Sequence, residues 1–176
     1  MKTFVTIFGS LLISASAIAS PFEGVNKTTP KCFERTFSDA YLKQRPRQTV
    51  KAIHMTLLGF NYKGEKIRFA DIVVKLKQPK HGRITFKTTM TCDENGRCFI
   101  ECDGGTGQIA KKNGQLIFKN SGITLFGGCD AEADVDELID IVLRPTKNGD
   151  DLFTLVPAKN CRIPKWFKEL AENPGF

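Results

Sequence analysis

Residues 83–102 read RITFKTTMTCDENGRCFIEC, and the alternation inside this stretch decides the fold class. Ile84, Phe86, Thr88, Met90 and Cys92 alternate with Arg83, Thr85, Lys87, Thr89 and Thr91, the period-two pattern of a half-buried strand. Across the turn, Cys98, Ile100 and Cys102 alternate with Phe99, Glu101 and Asp103. A two-residue hairpin loop at Asn95-Gly96 would set Cys92 opposite Phe99 and throw the two inward sets onto opposite faces. An odd-numbered loop centred on Asn95 instead pairs Cys92 with Cys98 and Met90 with Ile100, giving one apolar face throughout. Directly opposed cysteines lie within disulfide reach, so a Cys92–Cys98 bridge is expected.

The same signature recurs on both sides. Segments 50–60, 66–77, 98–103, 115–119, 122–126 and 152–156 are rich in Ile, Val, Phe, Thr and Leu, and turn residues such as Asn113-Gly114 and Asn148-Gly149 separate them. Seven short strands with short connections predict a mainly β fold: a single-domain antiparallel β-sandwich or closed barrel with short N-terminal and C-terminal helices. In 66–77 the alternation changes phase between Phe69 and Ile72, which predicts a β-bulge at Ala70-Asp71. Ser38-Asp39 caps a short helix through Lys43 that must stop before Pro46. Val135, Leu138, Ile139 and Val142 stand at helical spacing, with a strand over 139–143 as the alternative reading. Pro164 opens a closing helix to Glu172 with Trp166, Phe167 and Leu170 as its apolar face.

The amino terminus carries Lys2, an apolar run from Phe4 to Ile13, and small residues ending in Ala17-Ile18-Ala19, the three parts of a secretory signal peptide in order. Residues 1–19 are therefore expected to be removed, 20–31 to form a flexible leader, and 32–176 to form one disulfide-linked β-rich domain. Nothing after residue 19 has the length and apolarity of a spanning helix. All six cysteines, Cys32, Cys92, Cys98, Cys102, Cys129 and Cys161, lie in the exported part, and an even count there reads as disulfides. The four cysteines outside the first bridge allow three pairings; Cys102–Cys129 with Cys32–Cys161 is preferred, the latter tying the two ends together. The gaps between Cys92, Cys98 and Cys102 are not those of zinc knuckles, and no metal or cofactor is expected.

Catalytic chemistry finds no foothold. His54 sits on a strand and His81 in the turn Pro79-Lys80-His81-Gly82, and both read as solvent-side or structural residues, so no catalytic residue is assigned. Asp130 to Asp136 alternates carboxylates as calcium loops do, yet Val135 replaces the sixth-position Gly and Ile141 the closing Glu, so the run is not an EF-hand. Glu101-Cys102-Asp103-Gly104-Gly105 lacks the Lys and the strand–helix context of a phosphate loop; its glycines fit a tight bend beside a disulfide.

Cys32-Phe33-Glu34-Arg35-Thr36-Phe37, Gln48-Thr49-Val50 and the Glu101 to Gly105 string together resemble small secreted or periplasmic bacterial proteins of unassigned function that carry an ECDGG-type motif. The resemblance covers the first two thirds of the exported part. It implies an exported β-rich domain, periplasmic or secreted, and carries no activity with it. A comparison with lipocalins, which a barrel with a terminal helix invites, fails because no G-x-W follows the N-terminal segment.

Charge is the one signal of a partner. The chain carries a net charge of +7, and residues 43–87 hold twelve Lys and Arg against Glu65 and Asp71, whereas residues 129–151 are strongly acidic. A basic exported protein meets anionic lipid, acidic polymer or acidic protein surfaces, and no nucleic acid. Lys75, Lys77, Lys80 and Arg83 are the expected ligand-binding residues. The leading expectation is a non-enzymatic binding protein that contacts an anionic ligand or surface through this basic face. The alternative is a structural or envelope-associated protein acting through Trp166, Phe167 and the acidic segment, with an enzyme third. Oligomeric state is not legible.

Overall fold

Strand pairing decides between sandwich and barrel. The computed structural model describes residues 20–80, 82–102, 104–125 and 142–172, of Ala171 the backbone alone, and the statements below concern these. The elements are β1 (Lys31–Thr36), α1 (Asp39–Lys43), β2 (Val50–Tyr62), β3 (Glu65–Lys80), β4 (Arg83–Cys92), β5 (Arg97–Phe99), β6 (Gly105–Lys112), β7 (Gln115–Thr124), β8 (Val142–Leu143), β9 (Leu152–Pro157) and α2 (Lys165–Glu172). Each strand from β1 to β7 pairs antiparallel with the next, β7 pairs with β9, and β9 returns to β1, so eight strands close an up-and-down barrel. The short β8 continues the β9 side of β7, with Thr124 opposite Val142.

An eight-stranded barrel leaves an interior that side chains fill. Here Ile53, Met55 and Leu57 of β2, Ala70, Ile72 and Val74 of β3, Phe86 and Met90 of β4, Phe118 of β7 and Phe153 of β9 form one cluster. Phe118 stacks on Phe153 at 6.0 Å between ring centroids. Closing the ring gives each of the eight strands a partner on both sides over part of its length, which limits the edge left open to edge-to-edge pairing.

Local chemistry sets the connections. Asn113 and Gly114, at φ 51° and 76°, make the two-residue hairpin between β6 and β7, where both central positions must be left-handed. The β4–β5 connection is odd-numbered: Cys92 and Cys98 are direct partners, disulfide-bonded with Cα atoms 4.1 Å apart. Asp93 closes that loop by accepting from the amides of Asn95 and Arg97, each at 2.9 Å. Cys32 is bonded to Cys161. Cys102 also sits in a disulfide, while Cys129 lies outside the described residues. Past β5, Glu101 and Cys102 lie in a turn, and Ile100 N donates to Gly105 O at 2.9 Å. A Cβ at Gly105, whose φ is 94°, would stand 1.8 Å from Gly122 O, so only glycine fits there.

Several expectations are corrected. No bulge interrupts Ala70-Asp71: β2 and β3 stay in register from Tyr62 with Glu65 to Ala52 with Lys75, and the slip falls between Val50 and Ala52. The apparent phase change arises because Phe69, though outward, is covered: its ring meets Trp166 edge-on at 5.3 Å. Ile84 shares the inward parity of β4 yet is 37% exposed at the strand end. Strands β1 and β6 carry no clean alternation and escaped the sequence reading, and 115–124 is one strand, its turn-like Asn120 buried within it. The leader is not loose throughout, since Phe22 is only 6% exposed and joins the barrel cluster, and Ser20 Oγ donates to Glu94 O at 2.7 Å. The signal peptide expected at 1–19 and residues 135–141 of the stretch read as helix or strand lie outside the described residues, as does His81, although Val142 and Leu143 form β8. No described helix is long and apolar enough to cross a membrane.

Candidate functional site

The up-and-down course places the end of β3, the start of β2, the end of β7 and β8 together at one mouth of the barrel. Within β3, inward Leu76 separates outward Lys75 and Lys77. The Lys77 amide donates to Thr49 O at 2.8 Å and its Nζ to Pro46 O at 3.3 Å, which draws β3 toward the chain entering β2. Between Lys75 and Lys80 the pairing with β4 slips, carrying Lys80 round to face Arg83 across the hairpin.

A buried polar knot links the elements around this mouth. Asp150 is 2% exposed, and its carboxylate accepts from the Thr49 amide at 2.8 Å, the Thr49 hydroxyl and the Val50 amide at 3.1 Å. Asn120 Nδ2 donates to both Leu143 O and Asp150 O, each at 2.8 Å. These bonds join β2, β7, β8 and the loop before β9. A buried polar network with each member satisfied fixes one arrangement.

The result is a cavity of about 310 Å³ whose walls carry Arg47, Lys77, Lys80 and Arg144 and whose apolar lining comprises Leu76, Leu125, Val142 and Leu143. Asp150 borders it as well, but its oxygens already face three donors. Among the described residues, ion pairs join Lys51 to Asp39, Arg97 to Asp93 and Lys165 to Glu169, and none involves the four cations of the mouth. Of the four residues expected from sequence, Lys77 and Lys80 line the cavity. Lys75 lies on the adjoining outer surface, opposite Ala52 and Thr85, and Arg83 lies across the hairpin from Lys80. The structure therefore brings two of the four together and leaves two beside them. Arg47, Arg144 and the apolar lining were missed. Arg144 stands inside the acidic 129–151 stretch, where net charge conceals it, and the lining comes from β3, β8 and Leu125 just past β7, segments distant in sequence.

A larger hollow, about 1090 Å³, lies at the opposite end between the leader and the β2–β3 hairpin. Its charges, Lys27, Lys66 and Arg68 against Glu23 and Glu94, nearly cancel, so it selects no sign of ligand.

Among the described residues, the acid displaced from its ordinary range, Asp71, belongs to a different place. On the outer face of β2 and β3 a cross-strand row runs Cys32, Thr56, Asp71, Thr89. Thr89 Oγ1 donates to Asp71 at 3.0 Å, and Thr56 Oγ1 donates to Arg162 O at 2.9 Å. Burial pushes the Asp71 carboxyl above the ordinary aspartate range, opposed by the Thr89 hydrogen bond and by the charges of Lys87, Arg162 and His54. His54 Nε2 lies 3.4 Å from Asn160 O, while Nδ1 is buried without a partner. Residues 158–172 cover this row, held by Cys32–Cys161 and by Phe167, which is 2% exposed. Asp71 thus lies beneath a docked segment; neither cavity above is lined by it. The same docking bears on Trp166 and Phe167 as a partner anchor: Phe167 is buried, and Trp166 packs against both Phe69 and Phe167. Among the described residues no three His, Cys, Asp or Glu side chains converge as metal ligands would.

Compared with protein-family models, with curated protein sequences and with solved structures, the chain matches none.

Proposed function

We propose that this chain is an exported, non-enzymatic binding protein that holds an anionic ligand or surface at the cation-lined mouth of its barrel. One observation carries the reading: Arg47, Lys77, Lys80 and Arg144 border a single cavity, and no described carboxylate forms an ion pair with any of them. Four like charges held round one opening repel each other and raise the local positive potential, a cost that an anionic partner relieves. Lys75 and Arg83 extend the basic surface outward from this opening. The export address rests on the pattern of residues 1–19 and on the ECDGG resemblance, with the disulfides supporting an oxidising compartment, periplasmic or secreted.

Sedimentation with lipid vesicles tests the reading. The protein should co-sediment with phosphatidylglycerol vesicles and stay in solution with phosphatidylcholine vesicles. Binding should weaken as salt rises, because exposed charges are screened within about 8 Å at physiological ionic strength. Replacing Lys75, Lys77, Lys80 and Arg83 together by Gln should weaken it further. Binding that ignores salt and these substitutions, or no binding to any anion, contradicts it.

A further inference from the structure

The cations explain the sign of a ligand but not the floor beneath them. A site made for a small inorganic anion surrounds it with donors and has no use for aliphatic side chains, whereas this cavity is lined by Leu76, Leu125 and Leu143 of the barrel interior and by Val142 at its rim. Val142 is 43% exposed, an apolar side chain left in water between the opening and Arg144. Ile84, 37% exposed, lies at the same barrel end next to Arg83. Exposed apolar surface beside Arg47, Lys77, Lys80 and Arg144, none of which forms an ion pair with a described carboxylate, is complementary to a molecule with an anionic head and an apolar tail. The volume, about 310 Å³, is at the small end of ligand cavities, so it suits one chain of modest length and not a diacyl lipid. The buried knot of Asp150, Thr49 and Asn120 already fixes the backbone around the cavity, so little ordering is needed when a ligand enters.

We infer that the barrel mouth is a binding site for a single-chain amphiphile with an anionic head, its tail against Leu76, Leu125, Leu143 and Val142 and its head among Arg47, Lys77, Lys80 and Arg144. This rests on the anion-binding reading and narrows it to one ligand class. Head and tail are then read by different parts of one opening, and neither alone satisfies it. The exposed position of Val142 makes it the place where the tail contact can be altered without entering the core.

The test is calorimetry of the full exported chain with butyl, hexyl, octyl and decyl phosphate, each below its micellar concentration, with inorganic phosphate and octanol as controls. Affinity should rise with chain length, up to about fourfold per methylene added, the ratio that corresponds to ~0.8 kcal/mol per buried methylene. It should then level off once the tail fills the cavity. Octanol should bind at least tenfold more weakly than octyl phosphate. Val142→Asp should abolish the chain-length dependence, and Lys80→Gln, at an exposed hairpin position, should weaken every phosphate ligand several-fold without changing that dependence. Alkyl phosphates that bind no tighter than inorganic phosphate would overturn the amphiphile site, and retained binding to phosphatidylglycerol vesicles would then leave the anion-binding reading standing. Octanol binding as tightly as octyl phosphate would overturn the anionic head. Absence of binding to both alkyl phosphates and vesicles would overturn both readings.

Discussion

Asp71 is a carboxyl held under cover by an element that follows it by almost a hundred positions, and its titration reports on that cover. Its acid form is favoured in the fold by burial, against the pull of Thr89, Lys87, Arg162 and His54. Between the ordinary aspartate value of about 3.9 and the raised one, the folded chain keeps a proton that the unfolded chain has lost. Stability therefore falls as pH rises through that window, and the penalty persists at neutral pH. Asp71→Asn keeps an acceptor for Thr89 and removes the charge, so it should raise the melting temperature at pH 7 and have almost no effect near pH 3. A gain of equal size at both pH values would mean that packing, not ionisation, is responsible. Asp150 matters through its hydrogen bonds: its carboxylate accepts from the Thr49 and Val50 amides. Asp150→Ala leaves those donors buried and unpaired, and the denaturant midpoint should drop by the equivalent of about 2–3 kcal/mol.

At the scale of elements, the C-terminal segment illustrates how far local pattern reaches. Pro164 at a helix start and the spacing of Trp166, Phe167 and Leu170 give the helix away in sequence, and α2 follows. What the pattern could not give is the face it covers. Phe69 and Leu58 are direct partners on the outer face of β2 and β3, and they look like a strand out of phase until the helix is laid over them. The β4–β5 hairpin was legible for the converse reason: its two strands keep their apolar residues on one side only if the loop is odd, and Cys92 and Cys98 fall opposite each other as a consequence. Strand β6 was not legible, because Gly105, Gly107, Lys111 and Lys112 suppress its alternation and its place in the ring comes from pairing with β5 and β7. The Cys32–Cys161 bridge pins α2 across a separation of 129 residues. Loop-closure arguments put its contribution at roughly 4–5 kcal/mol. Cys161→Ser should therefore lower the unfolding free energy by up to that amount, and amide exchange should accelerate first in α2 and at Thr56 and Asp71 of the row it covers. Exchange that quickens uniformly over the barrel would contradict a separately docked segment.

Over the whole molecule, closing the sheet converts a charge pattern that is diffuse in sequence into a local one. The run 43–87 announced a basic surface, and Lys77 and Lys80 came from it, but the arrangement at the mouth also needs Arg144, taken from a stretch that reads as acidic. The apolar lining was invisible for a similar reason: Leu76, Leu125 and Leu143 each read as ordinary core positions, and only ring closure sets them beneath one opening. Neutralising Lys75 and Arg83, outside the cavity, should reduce vesicle binding chiefly through long-range attraction and lose its effect at high salt, while neutralising Arg47 and Arg144 should weaken binding of soluble anions at all salt concentrations. The proposed ligand site is most directly tested by amide chemical-shift mapping of the isotope-labelled chain from Ser20 onward during titration with octyl phosphate. The perturbed amides are predicted to cluster at Arg47, Thr49, Lys77, Lys80 and the Val142 to Arg144 stretch, at one end of the barrel. Perturbations centred on the hollow beneath the leader at Lys27, Lys66 and Arg68, or scattered over the outer strand faces, would contradict a ligand site at the basic mouth.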